Sequence, residues 1–280
     1  MEVFVEPAKG TLLLLSVMGV GFGLLALATK GAAFVAAIQR VRAEFATNLA
    51  LALFNGIILA PLFFWPGEFV QKTLSASAAV TAFWNGWHPV VVVVLTILVA
   101  DFVVYWRHRM EHHPLLWRFH ATHHADTHYH WLTTLRKHPV SKLLSVVIDA
   151  CLLFVMGFPA WAIATAALVR NFWGFFVHAD VPWTLGIFGR WLISPAAHRL
   201  HHIRDEALMG ANFGNTVTLW DRLFGTYVDP TPHVACETGI AEGTRGFLGE
   251  LARPWERRYR LGNSEDRAAP ATPTCPQARG

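Results

Sequence analysis

The stretch that decides the fold is Asp101-Phe-Val-Val-Tyr-Trp-Arg-His108-Arg-Met-Glu-His112-His-Pro-Leu-Leu-Trp-Arg-Phe-His120-Ala-Thr-His123-His124. It starts inside an apolar run, Pro89 to Trp106, and ends in a cluster of imidazoles. At ~1.5 Å per residue, such a run is about long enough to cross a bilayer core of ~30 Å. Residues three or four apart share a helix face. His108 and His112 therefore point one way together, as do His120, His123 and His124. The pattern His-x-x-His-His returns downstream as His198-Arg-Leu-His201-His202. Thirteen of the 15 histidines lie between His108 and His202, a concentration that chance does not explain. Eight convergent imidazoles exceed what one metal needs and fit two metals with open positions. The His-Glu-x-x-His signature of zinc hydrolases is absent, since Met110-Glu111-His112 does not supply it.

Working outward, the composition agrees with a membrane protein. The chain is 54% hydrophobic and 15% charged, against about 25% charged in soluble domains. Thr11 to Thr29 and Phe45 to Gly67 are uncharged, and Leu143 to Val177 is apolar but broken by Gly157-Phe158-Pro159, where a helix ends or kinks. For residues 107–142 and 178–202 to build one site, that last region has to be a hairpin, out along Leu143–Met156 and back along Ala160–Val177. The expected fold is an all-α integral membrane protein of about four transmembrane segments, including a helical hairpin, with a cytoplasmic histidine-rich di-metal cap. Residues 1–88 are the N-terminal transmembrane helices, 89–230 the histidine-box catalytic domain, and 231–280 a C-terminal extension, disordered from about Gly262. Arg107, Arg109, Arg118, Arg136, Lys137 and Lys142 form the strongest basic loop, which places the histidines on the cytoplasmic side. The net charge of +4 comes from residues flanking apolar spans rather than from a stripe, which argues against nucleic acid. Val181 to Pro195, with Trp183, Phe188 and Trp191, reads as an interfacial stretch. Three cysteines make neither a disulfide framework nor a zinc pattern, and the first apolar stretch reads as a retained span.

Together with Leu135-Arg-Lys-His138-Pro139, Asn212-Phe-Gly214 and Leu219-Trp-Asp-Arg-Leu-Phe-Gly-Thr-Tyr227, the boxes resemble the fatty acid hydroxylase and sterol desaturase superfamily over roughly residues 90–228. The resemblance implies a di-iron site, molecular oxygen as oxidant and a lipid C–H bond as target. It implies metal ligands at His108, His112, His120, His123, His124, His178, His198, His201 and His202, with His113 as an alternative to His112 in the first box. Some members carry a histidine pair four apart where this chain has Gly174 and His178, so one ligand has to come from His138 or from water. Asp101, an intramembrane acid two turns before His108, is read as the carboxylate that accepts a ligand's second N–H. No flavin, nicotinamide or haem-attachment fingerprint is present, so electrons are expected from a separate donor, cytochrome b5-like or ferredoxin-like. Desaturation is close chemistry on the same site. A bis-histidine haem protein would place single histidines on facing spans, and a metal transporter would need polar residues along several spans. His88 and His233 read as structural, and Asp149 as an acid that snorkels to the interface.

Overall fold

In the computed structural model, residues 2–62, 68–69, 72–73, 76–259 and 275 are described. Among them the chain is helical, with no strand beyond the isolated bridges Leu192–Val217 and Ile203–Thr238. Helix α1 (Glu2–Lys30) turns at Gly31–Ala33 into α2 (Phe34–Leu53), which continues through a wider turn at Phe54–Leu59. The two pair antiparallel. Thr11 lies so close to Gly56 that a Cβ there would come within 2.5 Å of the Thr11 hydroxyl, so only glycine lets the backbones meet. The expected second span, Phe45 to Gly67, is helical as far as Leu62, and residues 63–67 lie outside the described residues.

Next come α3 (Ala78–Asn85), α4 (Pro89–Glu111), α5 (Pro114–His124), α6 (Pro139–Val155) and α7 (Ala160–Val177). Helices α4, α5 and α6 begin on a proline, whose fixed φ and missing N–H suit the first helical position. The residue before each is a histidine, His88, His113 or His138, and its ring accepts the main-chain N–H two residues on. Three stretches are long and apolar enough to cross a membrane: Phe4–Leu62, Pro89–Glu111 and Ala160–Val177. The first and last leave large apolar side chains exposed, among them Leu13, Val20, Leu24 and Leu168, while Pro89–Glu111 is more deeply packed. Helices α6 and α7 form the expected hairpin. Gly157 turns it at φ +70°, a conformation costly for other residues, and Phe158 packs with Val92, Ala100, Leu153 and Ala162 as a core against α4.

The hairpin returns His178 to the start of α6 and to the end of α5, where its ring centroid is 5.3 Å from that of His123. Short helices α8 (Pro195–His201), α9 (Glu206–Met209), α10 (Leu219–Leu223) and α11 (Phe247–Ala252) close over this end. A buried clasp ties them to the rest. Arg136 bonds the Asn48 and Asp126 side chains and the Thr122 carbonyl, and pairs with Glu250 of α11, itself paired with Arg253. Cys236 and Cys275 form a single disulfide, which three cysteines without a framework did not announce. A spacing of 39 residues in a single pair gives no framework to read from sequence. Apart from Cys275, the tail from Gly262 lies outside the described residues.

Candidate metal centre

Nine histidines assemble into two adjacent groups. One holds His108, His112, His120, His124 and His201, the other His123, His178, His198 and His202; within each, one nitrogen per ring lies within 4.8 Å of the others. Box spacing explains the convergence, since each box is one face of α4, α5 or α8. The stacked rings of His124 and His202, 4.3 Å apart, join the groups.

Tautomers follow from main-chain partners. His108 Nδ1 lies 2.9 Å from the Phe213 carbonyl, His201 Nδ1 2.7 Å from that of Ala211, and His178 Nδ1 2.6 Å from that of Gly174. A carbonyl only accepts, so each Nδ1 carries the proton and each Nε2 is a bare lone pair. Yet His108 Nε2 and His201 Nε2 face each other at 3.0 Å, with His112 Nε2 3.1 Å from His201 Nε2. His178 Nε2 faces His198 Nε2 at 3.2 Å. The Nε2 atoms of His120, His124 and His202 are buried without any partner. The opposed lone pairs of His108 and His201 repel unless a cation sits between them, so the donor set fits metal. Burial pushes His201 down to about 4, despite its bond to Ala211, and His178 down to about 3, despite its bond to Gly174. Both rings are neutral at pH 7, the state in which imidazole binds metal.

The loop supplying two of these carbonyls is itself fixed. Asp221 of α10 accepts the N–H groups of Phe213 and Gly214, each at 2.8 Å, and the Thr226 hydroxyl at 2.7 Å. Asp101 accepts those of Thr216 at 3.0 Å and Val217 at 3.1 Å. Contrary to the expectation, Asp101 does not take the second N–H of His108; the Phe213 carbonyl does, and Asp101 holds the loop that carries it. His138 is not brought to either group. Its Nδ1 accepts the Val140 N–H as the cap of α6, and its Nε2 donates to the Leu251 carbonyl at 3.2 Å. His113 is likewise a cap, so His112 supplies the first box. His233 lies beside the Cys236–Cys275 pair. With Gly174 bearing no side chain and His138 elsewhere, the second group has four imidazoles against five in the first.

One carboxylate contact was not anticipated. Glu111 pairs with Arg107 at 2.6 Å, accepts Ser141 Oγ at 2.6 Å, and stands 3.5 Å from His120 Nδ1. Arg107 in turn grips Asp149 of α6 through two nitrogens, at 2.6 and 3.2 Å, so Asp149 is an ion-pair partner rather than a snorkelling acid. The signal was in the sequence: Arg107 and Glu111 are four apart on one face of α4. A cavity of about 60 Å³ is lined by histidines of both groups and by Arg107, Glu111, Thr134, Lys137 and Asn215. Burial, with Arg107 nearby, brings the Lys137 ammonium down to about 8.

Residues 93–226 match the fatty acid hydroxylase family. An ornithine lipid hydroxylase from Rhizobium tropici is 32% identical over 181 residues, 64% of this chain and 55% of that protein. Human (Homo sapiens) alkylglycerol monooxygenase is 32% identical over 132 residues, 46% of this chain and 29% of that protein. Lathosterol oxidase from Rattus norvegicus is 30% identical over 153 residues, 53% of this chain and 49% of that protein. The chain thus spans about half the length, or less, of these curated relatives. No solved structure matches it.

Proposed function

We propose, from the premise that residues 93–226 of this chain belong to the fatty acid hydroxylase family, that the protein is an O2-dependent di-iron hydroxylase acting on a C–H bond of a membrane lipid. The observation that carries this reading is the face-to-face approach of Nε2 atoms in two adjacent all-histidine groups, with those of His108, His201 and His178 left unprotonated by their carbonyl partners. Iron held there would supply the redox chemistry of C–H oxidation, in which C–H, O2, two electrons and two protons give C–OH and water. The chain's own part is to hold and orient. Main-chain carbonyls of Ala211, Phe213 and Gly174 fix three tautomers. Trp117, Tyr129 and Phe213 pack against the rings and keep bulk water off them. All nine ligands are proposed from this geometry, with Asp101 and Asp221 as positioning residues. The catalytic unit is residues 89–230. The protein is multi-pass, its histidines facing the cytoplasm, and a separate cytochrome b5-like or ferredoxin-like protein supplies the electrons.

Two measurements on chain isolated without chelator test this. Metal analysis should give two metals per chain, iron in the active form, and the optical spectrum should lack a haem Soret band. Lipid profiling with and without the gene should show a species gaining one oxygen atom, whereas loss of two hydrogens would assign the same site to desaturation. A reproducible stoichiometry of one metal or none would sink the di-metal reading.

A further inference from the structure

We propose that Lys137 binds an anionic group of the substrate, so that the lipid oxidised carries a phosphate or carboxylate close to the reacting carbon. This rests on the hydroxylase reading and adds a substrate class to it. Arg107, Glu111, Thr134, Lys137 and Asn215 line the cavity together with five of the histidines, and Val104 and Gly214 are its only lining residues without a polar side chain. An unbroken alkyl chain lying there would strip water from those groups and return no hydrogen bonds. Size points the same way. The cavity of about 60 Å³ holds about four to six waters at ~10–15 Å³ each by the same measure. That is room for a headgroup fragment, not for an acyl chain.

The sign of charge follows from the partners. Arg107 is neutralised by two carboxylates, Asp149 and Glu111, and the second Glu111 oxygen takes the Ser141 hydroxyl. Lys137 faces the same cavity and, among the described residues, forms no ion pair and no side-chain hydrogen bond. Its backbone is held: its N–H donates to the Leu135 carbonyl at 2.9 Å, and its carbonyl accepts Asn55 Nδ2 at 2.8 Å. On either side stand clasped Arg136 and the helix cap His138. The ammonium is thus presented by a fixed backbone to a polar space whose lining carboxylate, Glu111, is already engaged by Arg107 and Ser141. The nine imidazoles bring no negative charge, and metal held by them would add to the demand for an anion.

The test uses the full metal-loaded chain in an uncharged detergent and titration calorimetry with four probes: dodecyl phosphate, dodecanoate, dodecanol and inorganic phosphate. A charge-assisted hydrogen bond predicts that one of the anionic amphiphiles binds about ten- to a hundredfold more tightly than dodecanol. Lys137→Gln should erase that preference, Lys137→Arg should keep most of it, and exposed Lys9→Gln should leave it unchanged. Metal content should be equal in all four proteins, which controls for folding. Inorganic phosphate binding as tightly as dodecyl phosphate would overturn the lipid assignment in favour of a free anion. Equal preference in the wild type and Lys137→Gln, or no preference in the wild type, would overturn the proposal. Once a product is known, Lys137→Gln should raise KM more than it lowers kcat; a lower kcat at unchanged KM would assign Lys137 to the oxidant instead. Binding is read without turnover, so failure of the hydroxylase reading, seen as missing metal or missing oxygenated product, remains separately visible.

Discussion

His108, His178 and His201 each give Nδ1–H to a main-chain carbonyl and turn Nε2 inward, whereas His88, His113 and His138 turn a ring nitrogen to the helix they precede. Position relative to proline separates the two roles. His178→Ala and His201→Ala should each lose metal from their own group and abolish lipid product. His138→Ala should keep both metals and lose roughly 1 kcal/mol of stability with its cap. Asp101→Asn should keep both metals while activity falls by about 10–100-fold, the usual scale for groups that support a ligand from outside. Metal content and product yield at matched expression check all three; loss of metal from His138→Ala would return that residue to the centre. The box histidines were legible because their spacing encodes a helix face. His138 was not, because its neighbour Pro139 recruits it as a cap. The carbonyls of Ala211 and Phe213 were invisible, since a main-chain oxygen leaves no mark in residue type.

At the scale of elements, the α6–α7 hairpin was readable from Gly157-Phe158-Pro159 and from the need to bring two boxes to one side. The α1–α2 pairing was not, because it hangs on Gly56 meeting Thr11, a contact between residues 45 apart in a uniformly apolar stretch. The loop 211–227 was recognisable as a signature but not as a device. Its function is mechanical: Asp221 ties Phe213 and Gly214, and the loop then sets the rings of His108 and His201, both in the five-histidine group. Asp221→Ala should therefore loosen that group and spare the other. The expected result is a fall from two metals towards one per chain, read by metal analysis with lipid product as a second measure. Equal loss from both groups would mean that the loop supports the whole cluster.

At the scale of the whole molecule, acid acts through the buried rings. His178 and His201 titrate at about 3 and about 4 in the folded chain, against 6.5 for the free ring. Below about 6.5 the unfolded chain takes up protons that the folded chain refuses, so stability is full above that pH and is lost as pH falls towards 4. Thermal melting of the metal-free protein should show a lower midpoint at about pH 5 than at about pH 7.5. The buried Arg136 clasp makes a second global demand. Glu250→Ala should destabilise the protein by about 3–5 kcal/mol, the scale for stranding a buried charge, measurable as a lower melting midpoint at constant pH.

The same clasp sets an order of events in biosynthesis. Arg136 and Glu250 are 114 residues apart, which is several seconds of translation at roughly 5–20 residues per second. A nascent chain passes through a stage in which every cluster histidine has been made while the Arg136 charge still lacks Glu250. Asp126 already stands beside Arg136, but the second carboxylate arrives only with α11, so the clasp that ties α11 to α2 and α5 closes only after every cluster histidine has been made.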